Sequence, residues 1–360
     1  MRTTTRVHTP AERVKARRAG EIRARTVLVQ LLCIVSVLRT ILTRIVPLAG
    51  CSSWWIALLC LLPGAAVYGL LRFAMRITHT GTLTDCLRRC VGGVGGWCVS
   101  LLLGVLLLID GTASMTALIT MFTEGVGTQG TQMTLALLTS AVLLTCLHRE
   151  GLARGAYLLR HVMLGAALLA AAFSVRDVHP DGLFPLMGEG VPAIRAALAA
   201  GVSLAWPVVL LLTLPADLPE KRVRLAAAVA AACIAVPLAL TLTIPHELLI
   251  REHELAGSML LPTLFALPAV RTLLQCLLML ALFLAVGGAV QMATDQICAP
   301  MGQPPRWLPY AVLALLTASQ ALDIRSLWQM LGRAEPWLLL PLAVLAGMCI
   351  LIALFRREKA

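Results

Sequence analysis

Two ionisable side chains interrupt long apolar stretches of this sequence. Arg39 lies near the middle of TVLVQLLCIVSVLRTILTRIVPLAG, and Asp110 lies about halfway along LLLGVLLLIDGTASMTALIT. A charged group at such a depth in a membrane is costly unless it is paired or faces water. The sequence therefore predicts a buried Arg39–Asp110 pair. Two roles fit it: a structural ion pair that fixes helix packing, or a site where Arg39 binds a substrate carboxylate that Asp110 orients.

A third stretch, AAGVSLAWPVVLLLTLP, carries backbone-disrupting residues. Gly201 permits unusual backbone angles, Ser203 offers a hydroxyl, and Pro207 removes a backbone donor. We predict a broken helix here, with a merely kinked helix end as the alternative. Helices broken inside a membrane survive where they line a protein-walled cavity. The predicted ligand-binding residues are Ser36, Arg39, Thr40, Asp110, Ser114, Gly201, Ser203 and Trp206.

Other chemistry is poorly represented. Most of the 11 cysteines lie in apolar runs, where they act as small hydrophobic residues, and no CxxC pattern completes a metal site. The histidines are scattered, and no DxxxD-type metal motif occurs in the predicted inner loops. We therefore predict no catalytic residues, no metal site and no cofactor, which disfavours a membrane enzyme such as a prenyl or acyl transferase.

The composition indicates the environment that surrounds the protein. Of 360 residues, 59% are hydrophobic, 13% are charged and 5% are aromatic, and the mean hydropathy is +0.86. Soluble domains are about half apolar and a quarter charged. This composition excludes soluble enzymes, nucleic-acid binders and disordered proteins, and it indicates an all-α polytopic membrane protein.

Apolar runs of the length that a spanning helix needs occur about ten times, in two groups of five. A basic tail over 1–25 precedes them, and a short tail over 356–360 follows. The connections 176–198 and 245–271 are long and are expected to contain short interfacial helices. The predicted spans lie near 26–47, 53–75, 95–119, 131–148, 157–175, 199–215, 225–244, 272–295, 307–322 and 336–355.

The net charge of +12 indicates how the chain is oriented in the membrane. Most of the 30 Lys and Arg residues fall in the N-terminal tail and in connections predicted on the same side. Because cytoplasmic loops are rich in Lys and Arg, both termini are expected in the cytoplasm, with an even number of spans. Arg44, near the outer end of the first span, is expected to extend toward the membrane surface.

The chain resembles the spore-germination permease family from about residue 25 onward. This family comprises the integral-membrane B subunits of nutrient germinant receptors, within the amino acid–polyamine–organocation superfamily. The resemblance rests on HREGLARGAYLLR at 148–160 and on DGLFPLMGEGVPAIRAALAAGVSLAWPVVLLLTLP at 181–215. The first stretch resembles, in altered form, a short Gly–acidic–x–x–Arg turn after the fourth span. The matching positions are Gly151, Arg154, Pro185, Gly188, Gly190 and Pro215.

The resemblance implies two inverted five-helix repeats, about 26–175 and 199–355, with the first and sixth helices interrupted around a central site. It also implies an amino-acid-like ligand, a lipoprotein subunit and a larger membrane subunit as partners, and the inner spore membrane as location. The leading hypothesis is a germinant-receptor subunit that binds its ligand between spans one, three, six and eight. The alternative is an amino acid or amino acid/cation permease that transports its ligand.

Two departures from the family pattern concern the ligand site. Family members tend to carry small residues in the first interruption, where this chain has Leu38, Arg39 and Thr40. Many also carry a charged or polar residue near the position of Trp206. We therefore expect a ligand that differs from the family's, or one that is sensed without being transported.

Overall fold

The computed structural model of the chain describes residues 10–81, 83–126, 190–210, 268–298 and 305–321. It also describes the short stretches 139–140, 142–143, 151–159, 161–162, 165, 344 and 347–348. Throughout these residues the regular structure is helical, and they contain no strand. This agrees with the predicted all-α class.

The first two predicted spans form one helical run with two irregularities. Helix α1 (Pro10–Thr40) passes into a five-residue π-helix, the π segment (Ile41–Ile45), and then into α2 (Val46–Ala49). A 3-10 turn over Gly50–Ser52 leads into α3 (Ser53–Ile77). Gly50 has φ 50° and ψ −120°, a conformation open mainly to glycine, and it separates the two predicted spans. Helix α1 also includes much of the predicted basic tail, since it begins at Pro10.

A short helix that the sequence did not predict follows α3. Helix α4 (Leu83–Val91) precedes the 34-residue α5 (Gly93–Val126), which carries Asp110. The Nη1 atom of Arg89 donates to the Thr78 carbonyl at 2.9 Å, which ties α4 to the preceding turn. Gly96 allows α4 and α5 to approach, because a Cβ there would lie 2.5 Å from Cγ of Arg88.

The predicted sixth span is interrupted at the expected place. Helix α6 (Val191–Gly201) ends in a 3-10 stretch, the 3-10 segment (Val202–Leu204), before α7 (Ala205–Leu210). The helix begins at Val191, well before the predicted start near 199. Gly190, with φ 97°, precedes it, and a proline occupies its first turn, where a missing N–H costs no hydrogen bond.

The remaining long helices complete the described core. Helix α8 (Pro268–Cys298) packs along α5, and α9 (Leu308–Ala321) packs against both. Glycines bring α5 and α8 close together: a Cβ at Gly104 would lie 2.7 Å from Cγ1 of Ile297, and one at Gly111 would lie 3.0 Å from the Cβ of Ala289. One buried apolar cluster joins α1, the π segment, α3, α5, α7 and α8.

Within the described residues, three helical segments are long and apolar enough to cross a membrane: Ala24–Ile77, Gly93–Phe122 and Gln275–Cys298. The first is 54 residues long, more than twice the length that one crossing needs. These segments indicate a bilayer environment. The predicted spans near 131–148, 157–175, 225–244 and 336–355 lie largely outside the described residues, so the count of ten and the two inverted repeats stay predictions.

One motif behind the family resemblance has a different local structure from the one expected. Residues 151–159, which include Gly151 and Arg154, are α-helical. The resemblance implied a short turn there. The predicted loops 176–198 and 245–271 lie mostly outside the described residues, apart from the starts of α6 and α8.

Candidate ligand-binding site

The predicted Arg39–Asp110 pair is present and buried. Nη2 of Arg39 lies 2.6 Å from Oδ1 of Asp110, and the side chains are 11% and 1% exposed, respectively. Nη1 of Arg39 also donates to the backbone carbonyl of Asp110 at 2.9 Å. Because two guanidinium nitrogens contact one residue, the pair fixes the orientation of α1 against α5 as well as neutralising both charges.

Two serines complete this polar cluster. The Ser36 hydroxyl donates to Oδ1 of Asp110 at 2.5 Å, and Nη1 of Arg39 donates to the Ser114 hydroxyl at 3.2 Å. Ser36 precedes Arg39 by three residues and Ser114 follows Asp110 by four, so each serine lies on the same helix face as the charged residue beside it. The four side chains form what we call the Arg39–Asp110 cluster.

The π segment begins two residues after Arg39. The N–H of Val46 reaches the carbonyl of Ile41, five residues back, and the Thr43 hydroxyl donates to the Arg39 carbonyl at 2.8 Å. A π-helical turn inserts one extra residue into a helix and occurs often at functional sites. Here it changes the direction of the residues that come after Arg39.

Arg44 belongs to the π segment and connects it to the 3-10 segment. Its Nη1 atom donates to the Ser203 hydroxyl at 3.3 Å, and that hydroxyl donates in turn to the Ala200 carbonyl at 2.9 Å. The π segment also packs against α6. Arg44 was expected to extend toward the membrane surface; it is instead half-buried and contacts the other irregular segment.

Helix α7 packs against α1 beside the cluster. The Cys33 thiol donates to the Pro207 carbonyl at 2.8 Å. Cys33 precedes Ser36 by three residues, so the contact lies one helical turn from the Asp110 carboxylate along α1. Trp206, the neighbour of Pro207, is completely buried.

Gly201 permits a close approach between α6 and α3. A Cβ at this position would lie 2.4 Å from Sγ of Cys60 and 3.2 Å from Cδ1 of Ile45. These distances leave no room for a side chain. Gly201 therefore has a packing role. Its role as a ligand-binding residue stays a prediction.

Some polar atoms of the site have no partner within the described part of the chain. Oδ2 of Asp110 and Nε1 of Trp206 are both buried and accept or donate no hydrogen bond there. Most buried polar atoms in proteins are hydrogen-bonded, so each exception calls for an explanation. One of these two atoms is an acceptor and the other is a donor, and no described group satisfies either of them.

The predicted residues are thus distributed over two neighbouring groups. Ser36, Arg39, Asp110 and Ser114 contact one another, as the hydrogen bonds above show. Gly201, Ser203 and Trp206 belong to α6, the 3-10 segment and α7, which pack against α1 or the π segment. Thr40 is buried at the end of α1, and no hydrogen bond joins it to the cluster among the described residues.

Sequence reasoning missed three contributors: Cys33, Thr43 and Cys60. Cys33 lies three residues before Ser36 and therefore on the same helix face, and this spacing was the only feature of the sequence that indicated its contribution to the site. In the described residues, no group of three or more His, Cys, Asp or Glu side chains is placed to hold a metal ion.

Comparisons with known proteins add a similarity to solved structures. No protein-family model and no curated protein matches the sequence. The crystal structure of a manganese transporter from Eremococcus coleocola, in complex with an aromatic bis-isothiourea compound, is similar over 97% of this chain and 79% of that chain. The sequence identity is 14% and the TM-score is 0.39. We draw no functional conclusion from a similarity of this size.

Proposed function

We propose that the protein is a permease that binds a small, amino-acid-like solute at the Arg39–Asp110 cluster and moves it across the bilayer. The observation that carries this proposal is a buried, charge-neutral pair beside two contacting helix irregularities, with a buried Asp110 oxygen that no group in the described residues satisfies. Irregular backbone at membrane depth is tolerated where protein buries it or where it lines a cavity. Paired interruptions are also the best sequence indicator of a transporter binding site.

The two irregular segments are also the elements that we propose to move during transport. Alternating access requires elements that change their relative position around a fixed site. A long side-chain hydrogen bond from Arg44 to Ser203 is one of the contacts between the π segment and the 3-10 segment. At 3.3 Å this bond is long, so breaking it costs little. We propose that these segments separate when the ligand enters or leaves.

Uptake into proteoliposomes tests the proposal. Purified protein is reconstituted and supplied with a mixture of radiolabelled amino acids, with protein-free vesicles as the blank. We expect time-dependent uptake, reduced about 10- to 100-fold in Arg39→Met, the range expected for loss of a charge-assisted hydrogen bond. Arg306→Met, which changes an exposed residue far along the chain, is the matched control. Uptake equal to the blank for the wild type would reject the permease.

A second candidate is the germinant-receptor subunit, non-enzymatic and multi-pass, with both termini in the cytoplasm. The resemblance of residues 148–160 and 181–215 supports it. The Arg39–Asp110 pair also supports it. A ligand that competes for either side chain would change the population of the paired state without being transported. Its partners would then be a lipoprotein subunit and a larger membrane subunit.

Deletion of the gene followed by germination assays on purified spores separates the two candidates. A receptor subunit predicts loss of germination on at least one nutrient and restoration by the wild-type gene. Normal germination on every nutrient tested would exclude the receptor role. Restoration by a variant that binds ligand but fails the uptake assay would favour sensing over transport.

A further inference from the structure

Positive charge is concentrated where α3 ends and α4 begins. The sequence over 68–109 contains one acidic residue, Asp85, and no lysine. The same stretch contains four arginines, which we call the basic corner: Arg72, Arg76, Arg88 and Arg89. Arg76 and Arg89 are exposed, whereas Arg72 and Arg88 are half-buried. This surface of the protein therefore carries an excess of positive charge that water or a ligand can reach.

Packing of α4 fixes the arginines of the basic corner in place. Arg89 donates to the Thr78 carbonyl at 2.9 Å, and Thr78 follows Arg76 by two residues, so Arg89 reaches the end of α3. Arg88 lies toward α5, since a Cβ at Gly96 would lie 2.5 Å from its Cγ. The buried apolar side chains of α4 are Leu83, Cys86 and Leu87. The basic corner thus spans the end of α3, all of α4 and the start of α5.

Exposed apolar side chains lead up to the basic corner on both sides. On α3, Leu70 and Phe73 are exposed, and Phe73 lies three residues before Arg76, on the same helix face. On α5, Trp97 and Leu101 are exposed one turn apart. In a bilayer such side chains contact acyl chains, and tryptophan is typical of the boundary with the headgroups. The basic corner therefore lies at the depth of the lipid headgroups.

The charge of the basic corner determines which headgroup fits it. Guanidinium groups bind phosphate oxygens through paired N–H groups. A zwitterionic headgroup also brings an ammonium group, which the arginines repel, whereas an anionic headgroup brings none. The connection between the second and third predicted spans is also expected on the cytoplasmic side, where anionic lipids give the membrane surface its negative potential.

We propose that the basic corner binds an anionic phospholipid, with the phosphate held by Arg76 and Arg89 and an acyl chain lying along Leu70 and Phe73. The lipid would join the end of α3 to α4. This site is separate from the Arg39–Asp110 cluster, because Asp110 follows Gly96 by 14 residues of continuous helix, about 21 Å along α5. The proposal therefore does not depend on the proposed function.

Lipid retention by the full-length protein in detergent tests the proposal. The protein is mixed with equal amounts of phosphatidylglycerol and phosphatidylcholine that have the same acyl chains, and native mass spectrometry identifies the first lipid retained. We expect the wild type to retain phosphatidylglycerol preferentially. The preference should fall about 5-fold in Arg76→Gln or Arg89→Gln and about 30-fold in the double variant, the effect of one and two arginines near an anionic lipid surface.

Arg306→Gln is the matched control, because Arg306 is exposed, lies in a connection predicted on the same side and is outside the basic corner. It should keep the wild-type preference. Should Arg89→Gln fail to fold through loss of its contact with Thr78, Arg76→Gln decides alone, since Arg76 is exposed at the end of α3.

Three results would overturn the proposal. The first is equal retention of the two lipids by the wild type. The second is an equal fall in Arg306→Gln and Arg76→Gln, which would assign the preference to net charge. The third is thermal stabilisation by inorganic phosphate as large as that by phosphatidylglycerol, which would indicate a site for soluble anions. Solute uptake is measured separately, so its absence would reject the permease and leave the lipid site standing.

Discussion

The two helix irregularities differ in what produces them. The 3-10 segment occurs where composition favours it, with Gly201 before it and Pro207 after it. The π segment, ILTRI, contains no glycine or proline itself, and Pro47 follows it by two residues. The 3-10 segment therefore has helix-disrupting residues on both sides. The π segment has only Pro47 on its C-terminal side, and contacts that its side chains make elsewhere can stabilise it in addition.

Those contacts are polar and reach across the molecule. Arg39, just before the π segment, binds Asp110 of α5, and Arg44, within it, binds Ser203. The extra residue of a π turn rotates the later residues of the helix relative to a regular α-helix. Since Arg39 and Arg44 bind partners on different elements, we infer that these contacts favour the π turn. The comparison teaches that a break can arise from backbone chemistry or from side-chain pairing.

Breaking the ion pair is the strongest test of this difference. Arg39→Met leaves Asp110 buried without its partner, and we expect a loss of about 3–5 kcal/mol of stability. Asp110→Leu should cost a similar amount. In the double variant no charge is left unpaired, so most of the loss should be recovered. Thermal or denaturant unfolding of all four proteins gives the coupling energy.

If the stability losses of the two single variants add up in the double variant, Arg39 and Asp110 are not coupled. The ion pair would then not explain the π segment. Arg306→Met serves again as control, because an exposed position outside the site should change stability by less than about 0.5 kcal/mol.

The second irregularity should respond to packing. In Gly201→Ala the new Cβ would lie 2.4 Å from Sγ of Cys60. Overpacking of this kind costs about 1–3 kcal/mol. The loss should shrink when Cys60→Ala is combined with it, because the two changes share one contact. Gly69→Ala in α3, where the Cβ would meet nothing within 4 Å, is the matched control and should not destabilise.

The outcome that would contradict this account is equal destabilisation by Gly201→Ala and Gly69→Ala. The effect would then come from the glycine backbone rather than from contact with Cys60. Destabilisation of Gly201→Ala that persists unchanged in the Cys60→Ala background would point to Ile45 as the limiting neighbour, since its Cδ1 lies 3.2 Å from the same position.

The sequence predicted the features that composition or buried charge determines. Mid-span charges are so costly that pairing Arg39 with Asp110 followed from their depth alone, and Gly201 with Pro207 indicated the second irregularity. The family resemblance placed an interruption at Leu38, Arg39 and Thr40, next to the π segment. Its π-helical form could not be predicted, because ILTRI contains no helix-breaking residue and its contact with Ser203 is 159 residues away along the chain. Helix α4 was missed because its nine residues are too short and polar for a span.

The smallest expected effect concerns the contact that joins the two irregularities. Ser203→Ala removes the acceptor for Nη1 of Arg44 but leaves the backbone of the 3-10 segment unchanged. At 3.3 Å and half-buried, this bond should contribute at most about 1 kcal/mol. We expect a small loss of stability together with faster solute exchange in proteoliposomes, since separating the segments would break one bond fewer.

Ser114→Ala provides the comparison, because Ser114 accepts a bond of similar length, 3.2 Å, from Arg39. Its loss breaks a bond within the ion-pair cluster and none between the two irregular segments, so it should speed solute exchange less than Ser203→Ala does. If both variants change exchange equally, the Arg44–Ser203 contact has no special part in opening. The two irregularities would then move together with α1 as one unit, and the ion pair rather than the bond between the segments would set the barrier.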